Sequence, residues 1–391
     1  MLTQRQLFLN HIAQTSETPL ALEIERAEGV YLFDQSGKKY MDLISGISVS
    51  NVGHRHPKVL QAIQQQLDKY MHLMVYGEYI QSPQVKLASL LSGLLPPSLN
   101  SVYLVNSGAE AIEGAMKLAK RCTGRTEIIS FKNAYHGSTH GSLSIMGSET
   151  FKNSFRPLLP DVRQIEFNNF AQLSEITNRT ACVIVEPIQG EAGAIVPQDG
   201  FLKQLRKQCH AVGALLVADE IQTGFGRTGK LFAFEHFEFI PDIICFAKGM
   251  GGGMPLGAFI SSKEKMNMLT NNPILGHITT FGGHPVCCAA GIAVIEVLQQ
   301  ENLIEGVAKK EKLFRDLLVH PKIKSIHGKG LLLSLEFESY EQNKTCIDKC
   351  IADGIITDWF LFNSHSMRIA PPLTITEEEI REACKIIVKN L

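Results

Sequence analysis

The chain has 391 residues, 45% hydrophobic and 20% charged, a globular composition with material for one large and one smaller unit at about 150 residues per domain. Lys and Arg number 38 against 39 Asp and Glu, so the formal charge is -1 and no excess recommends a nucleic acid or an anionic membrane as partner. Nine scattered cysteines with no CxxC pair fit a reduced, cytoplasmic protein better than a disulfide framework.

The first residues show no basic segment leading into an apolar run, so a secretory signal is not expected. Residues 266–295 lack Asp, Glu, Lys and Arg, but asparagines, histidines and glycines interrupt them too often for a membrane span. Residues 1–45 read as a peripheral arm: a short helix near 7–12, then apolar runs at 29–33 and 40–43 joined by an Asp/Gly turn as in a hairpin. From about 80 to 280 the pattern becomes α/β. Apolar runs at 102–105, 127–131, 182–186, 215–219 and 243–247 predict buried strands of a parallel sheet covered on both faces. Ala109, Ile112, Met116 and Ala119 recur at helical spacing, and 201–212 reads similarly. The C-terminal part differs: helices over 286–298 and 304–318, a strand at 331–337 whose alternation predicts one buried face, and a Thr376/Glu379 capping box opening a last helix. The expected fold is α/β, with a large domain over 46–283 on a mostly parallel sheet, a smaller α+β domain over 284–391, and a site in the crevice between them.

Two glycine-rich segments suggest nucleotide binding only weakly. Gly224 to Lys230 has phosphate-loop spacing, yet Leu231 stands where a magnesium site needs Ser or Thr. Gly249 to Gly253 follows a strand, but no helix pattern and no suitable acid come after it. A third segment is stronger. Ser107, Gly108 and Ala109 sit at a strand-to-helix turn, where free backbone amides and the helix dipole suit a phosphate; an ordinary Ser-capped helix start fits the same residues. His54 and His56, and His136 and His140, have metal-like spacing without acidic or Cys ligands beside them, and no metal is expected.

Asp219 and Lys248 each end an apolar run, so in a parallel sheet both open onto one edge. Desolvation there would lower the lysine's pKa and make it a usable amine nucleophile. A lysine, an acid, a phosphate seat and the ring of Tyr135 are what pyridoxal 5'-phosphate (PLP) requires: a covalent anchor, a partner for the pyridine nitrogen, a cup and a stacking face.

These residues lie in longer segments: NSGAEAIEGAMKLAK (106–120), YHGST (135–139), VEPIQGEAG (185–193), ADEIQTGFGRTG (218–229), AKGMGGGMPLGA (247–258) and TTFGGHP (279–285). In that order, over nearly the whole chain, they resemble the class III aminotransferases that include ornithine, acetylornithine and 4-aminobutyrate aminotransferases. The resemblance implies the PLP-dependent transferase fold of type I and a ping-pong transfer of an amino group, from a terminal amine to an α-keto acid such as 2-oxoglutarate or pyruvate. Lys248 would be the Schiff-base lysine, Asp219 the partner of the pyridinium nitrogen, and Gln222 that of the ring's phenolic oxygen. Ser107, Gly108 and Ala109 would hold the phosphate, and Tyr135 would cover the ring. Thr280 would reach the phosphate of the neighbouring subunit, which implies a homodimer with its active site at the interface. Glu191 and Arg368 match a pair in which the arginine binds a carboxylate in one half-reaction and the glutamate covers its charge in the other. Three positions depart from the pattern: Ser138 replaces a second carboxylate-binding arginine, Ile47 a pocket-shaping aromatic, and His284 an asparagine. A mutase, decarboxylase or racemase on the same fold is the alternative within this cofactor class; an NTP- or dinucleotide-binding protein is the alternative outside it.

Overall fold

The computed structural model describes residues 2–391. After a capped helix, Gln4–His11, strands β1 (Ile24–Glu28), β2 (Tyr31–Asp34) and β3 (Lys39–Asp42) form an antiparallel ribbon. The β2–β3 turn is tied by Asp34, whose Oδ1 accepts from the amides of Ser36 (2.9 Å) and Lys38 (3.0 Å). The expected hairpin is therefore present, with β1 added before it.

Seven strands build the central sheet: β4 (Ser101–Val105), β5 (Glu127–Phe131), β6 (Val162–Ile165), β7 (Thr180–Val185), β8 (Leu215–Asp219), β9 (Ile243–Phe246) and β10 (Gly257–Ser261). Their order is β4-β10-β9-β8-β7-β5-β6, and only β10 runs against the others. Alternate residues of the strands pack into two cores, as the pleat requires. Ile128, Cys182, Ile184, Val217, Ile243 and Cys245 join Ala111, Ile112 and Ala115 of the helix Gly108–Thr123. Ile129, Val183, Val185, Leu216, Ala218 and Ile244 join Phe201, Leu202 and Leu205 of the helix Phe201–Val212. Coverage on both faces accounts for the near-continuous apolar runs. In the parallel β8–β9 register Asp219 lies beside Cys245, so Asp219 and Lys248 leave the sheet at the same edge.

The remaining strands are β11 (Ser325–Lys329), β12 (Leu332–Glu336), β13 (Ile355–Ile356), β14 (Trp359–Phe360) and β15 (Asn363–Ile369). Four form an antiparallel sheet in the order β11-β12-β15-β14, while β13 pairs in parallel with β3 and joins the N-terminal ribbon to this part of the chain. The half-buried strand expected at 331–337 is buried on both faces instead. Leu331, Leu333 and Leu335 enter the main core, and Leu332 meets Ile188, Ala194 and Phe360 on the other side. The apolar helix Pro285–Gln300 packs on the helices Pro57–Leu67 and Ser82–Leu94 and on the turn carrying Lys248. Among the described residues no helix is long and apolar enough to cross a membrane.

Candidate active site

A cavity of about 670 Å³ opens at the carboxyl edge of the central sheet. Ser107, Gly108, Ala109, Tyr135, Asp219, Gln222 and Lys248 all line it, although they come from segments far apart in the chain. This is where ligands gather in an open α/β sheet. Lys248 follows β9 and has φ +46°, a left-handed conformation outside the normal range for a lysine that costs roughly 1–3 kcal/mol. Its amine has no hydrogen-bond partner among the described residues. Burial, with help from Arg368, lowers its pKa, while Glu191, Asp219 and Glu186 oppose the shift.

Asp219 is held on both oxygens. His136 Nδ1–H donates to Oδ2 (2.7 Å) and the amide of Ile221 donates to Oδ1 (3.0 Å). Burial disfavours the charged imidazole, but Asp219 outweighs it and raises the His136 pKa. His136, a metal candidate by spacing alone, thus serves the carboxylate, and its buried Nε2 has no partner among the described residues. Glu186 is a second buried acid on the cavity wall, accepting from the amides of Tyr135 (3.0 Å) and Gly190 (2.8 Å). Burial pushes its pKa up to about 7.

Ser107 caps its helix as an ordinary Ser-capped start does. Its hydroxyl caps the helix by accepting from Glu110 N (3.2 Å), while the amides of Gly108 and Ala109 have no partner among the described residues and are free for an anion. Tyr135 places its hydroxyl 3.2 Å from that of Ser138 on the cavity wall. Gln222 nests against Gly190, where an added Cβ would come within 1.7 Å of its side-chain oxygen and push the amide from this position. Ile47 is not on the cavity wall; Val49 is.

Glu191 and Arg368 do not line this cavity but stand beside it, linked through Gln222 Nε2, which donates to Glu191 Oε1 (3.4 Å). Arg368 makes a bidentate pair with Glu191, both contacts 2.9 Å, and donates through Nε to Asp358 (2.8 Å). Both members are almost fully buried. Burial would raise the Glu191 pKa, yet the guanidinium wins and holds it below the usual carboxylate range. Thr280 lies exposed on a loop away from the cavity of its own chain.

The loop from Gly224 to Lys230 is not a phosphate cradle. Arg227, at its centre, is fully buried and donates to the carbonyls of Leu331 (2.9 Å) and Pro371 (2.5 Å) and to Asn51 Oδ1 (2.5 Å). Lys230 is exposed. The loop ties distant parts of the chain together, and no spacing in the sequence distinguishes that use from a nucleotide loop.

The free amine, the doubly braced carboxylate and the two unpartnered amides fit PLP in type and placement. The chain matches the model of the family "Aminotransferase class-III" over residues 12–391. It is 38% identical over 376 residues to an acetylornithine aminotransferase of Methanopyrus kandleri, covering 95% of this chain and 94% of the relative. It superposes with a TM-score of 0.91 on the ornithine aminotransferase of Toxoplasma gondii, at 30% identity and 98% and 92% coverage of the two chains; that structure is described with partial occupancy of PLP at its active site. The adenosylmethionine-8-amino-7-oxononanoate aminotransferase of Methanocaldococcus jannaschii gives 0.91, also at 30% identity, with 99% and 98% coverage. The chain belongs to the class III aminotransferases. It is a PLP-dependent aminotransferase of fold type I.

Proposed function

We propose that this enzyme takes an amino group from a terminal amine and passes it to an α-keto acid by a ping-pong mechanism. The observation that carries the reading is the buried Glu191–Arg368 pair beside the amine of Lys248 and the carboxylate of Asp219. Bound in the cavity, PLP supplies an electron sink for the bond broken at the substrate's amine-bearing carbon. Lys248 Nζ would anchor the cofactor and, once the substrate's amine displaces it from that link, would be free to move a proton at that carbon; its lowered pKa favours the neutral, basic form. Asp219, braced by His136, would present its carboxylate to the pyridine nitrogen. Gln222 would bond the phenolic oxygen, Tyr135 would cover the ring, and Ser107, Gly108 and Ala109 would receive the phosphate.

Arg368 Nη1 and Nη2 form a planar fork that suits a carboxylate bidentately. While a donor without an α-carboxylate is bound, Glu191 occupies the fork; when the keto acid enters, Glu191 leaves it. Such an exchange needs only a rotation of the Glu191 side chain, since its backbone stays held by Phe362 N, which donates to Glu191 O (3.0 Å). Ser138, a short hydroxyl side chain on the cavity wall, offers no second cation, which supports a monocarboxylate acceptor such as pyruvate over a dicarboxylate.

The working unit in this reading is a cytoplasmic homodimer. Tyr79 and Ile80 line a groove with Thr279 and Gly282, and Ile80 (96%), Ile274 (77%) and Phe281 (54%) expose apolar surface around Thr280. A partner seated there would bury this surface and receive Thr280 at its phosphate. Sedimentation should give a dimer, and a fully active monomer would contradict the arrangement.

The test of function is a panel of amine donors added singly to holoenzyme: ornithine, acetylornithine, 4-aminobutyrate, diaminobutyrate, β-alanine and simple aromatic amines. At least one terminal amine should bleach the cofactor's visible band stoichiometrically, and a keto acid should restore it. Release of CO₂, or isomerised product without keto-acid demand, would point to a decarboxylase or a mutase.

A further inference from the structure

Arg368 carries two carboxylates, and they are mounted differently. Glu191 covers Nη1 and Nη2 from the glycine-flanked loop after β7, steadied by the amide of Leu361, which donates to its Oε2 (3.1 Å). Asp358 accepts from Nε (2.8 Å) and belongs to the same sheet region as the arginine. Around that contact the backbone is stitched on both sides: Arg368 N donates to Asp358 O (2.9 Å), and Thr357 Oγ1 donates to Arg368 O (2.6 Å). Glu191 is tied to the same region by its backbone, its carbonyl accepting from Phe362 N (3.0 Å), so only its side chain can leave the fork, whereas Asp358 keeps its contact with Nε. The guanidinium also lies 4.5 Å from the ring centre of Phe360, which fixes its plane but brings no anion. Between the departure of Glu191 and the seating of the keto acid's carboxylate, a buried arginine without any anion would be strongly destabilised, and Asp358 is the carboxylate that stays through that exchange.

We propose that Asp358 is a positioning residue for carboxylate recognition: it holds Nε so that the Nη1/Nη2 fork keeps its orientation and a charge partner when Glu191 gives way. This rests on the reading of Glu191 and Arg368 above. Asp358 touches no reacting atom.

The test uses holoenzyme converted to its amine form and mixed rapidly with pyruvate, which carries a carboxylate, or butanal, which does not. Asp358→Ala should lower kcat/KM for pyruvate about tenfold or more, chiefly through KM, and leave butanal within about twofold. Asp358→Asn keeps an acceptor for Nε but not the charge, and should recover only part of the loss. A second readout needs no turnover: Trp359 is the only tryptophan, and its backbone carbonyl accepts from Arg368 Nη2 (3.4 Å). The midpoint of a propionate titration followed by Trp359 fluorescence should rise about tenfold or more in Asp358→Ala. If that variant does not fold, Asp358→Ser, too short to span to Nε, carries the same expectation. Equal losses with pyruvate and butanal, or an unmoved propionate midpoint, would overturn the proposal. Arg368→Lys separates the two readings. If it loses pyruvate selectively while Asp358→Ala does not, only the role of Asp358 falls; if it too leaves pyruvate untouched, both fall.

Discussion

Asp219 and His136, 83 residues apart in sequence, share a fully buried 2.7 Å hydrogen bond at the edge where Lys248 emerges. The imidazole fixes the carboxylate's direction, and the amide of Ile221 closes its other oxygen. A carboxylate so braced would need no reorganisation to meet the cationic ring nitrogen proposed for it, which is how preorganised electrostatics contributes to catalysis.

Asp219→Asn keeps the shape and removes the charge. Transamination should fall by about 10²–10³-fold with circular dichroism unchanged. His136→Phe leaves the charge and loosens its direction, so the loss should be smaller. A larger loss in His136→Phe than in Asp219→Asn would show that the histidine has a role of its own.

Glu186 sets a pH dependence whose sign follows from its surroundings. Burial raises its pKa from 4.5 to about 7, with Asp219 adding to the shift and His136 and the amides of Gly190 and Tyr135 opposing it. Between those values the folded protein holds a proton that the unfolded chain has released, so this group's contribution to stability falls as pH rises through the window. At ~1.4 kcal/mol per unit the difference is about 3 kcal/mol. Denaturant unfolding of the cofactor-free protein at about pH 5 and about pH 8 should show wild type losing that much relative to Glu186→Gln. Glu220, raised in the same way, is present in both proteins and cancels. A pH-independent difference would contradict the assignment.

Arg227 is a structural latch. Its three acceptors lie on Asn51, Leu331 and Pro371, so Arg227→Lys should cost about 3 kcal/mol or more, measured as a lower denaturation midpoint. Lys230→Ala, on the exposed end of the same loop, should change neither stability nor turnover. A nucleotide loop would give the opposite ranking.

Ser138→Arg tests whether the cavity wall lies within reach of a substrate carboxylate. The added guanidinium should raise the preference for 2-oxoglutarate over pyruvate about tenfold or more. An unchanged preference would place the second carboxylate elsewhere.

What the sequence revealed, and what it hid, divides by the range of the physics involved. The runs ending at Asp219 and Lys248 were readable because a strand buried on both faces must be apolar throughout, and a charge at its end is conspicuous. β10, Gly257–Ser261, escaped because its short run follows a glycine- and proline-rich turn and enters the sheet antiparallel between β4 and β9. The His136–Asp219, Arg227–Asn51 and Arg368–Asp358 contacts are tertiary and leave no periodic trace. Arg368 with Glu191 was found through the family resemblance, not through spacing. His284 is explained only by the fold: its Nδ1 accepts from Val286 N (3.3 Å) and caps the helix Pro285–Gln300, keeping an acceptor where the resemblance leads one to expect asparagine.

The central claim is that the amine of Lys248 binds PLP covalently. Reducing the holoenzyme with borohydride and mapping its peptides by mass spectrometry tests it directly. The cofactor's mass should be found on the peptide containing Lys248, and Lys248→Ala should carry no label. A label on another lysine, or wild-type turnover in Lys248→Ala, would contradict the account.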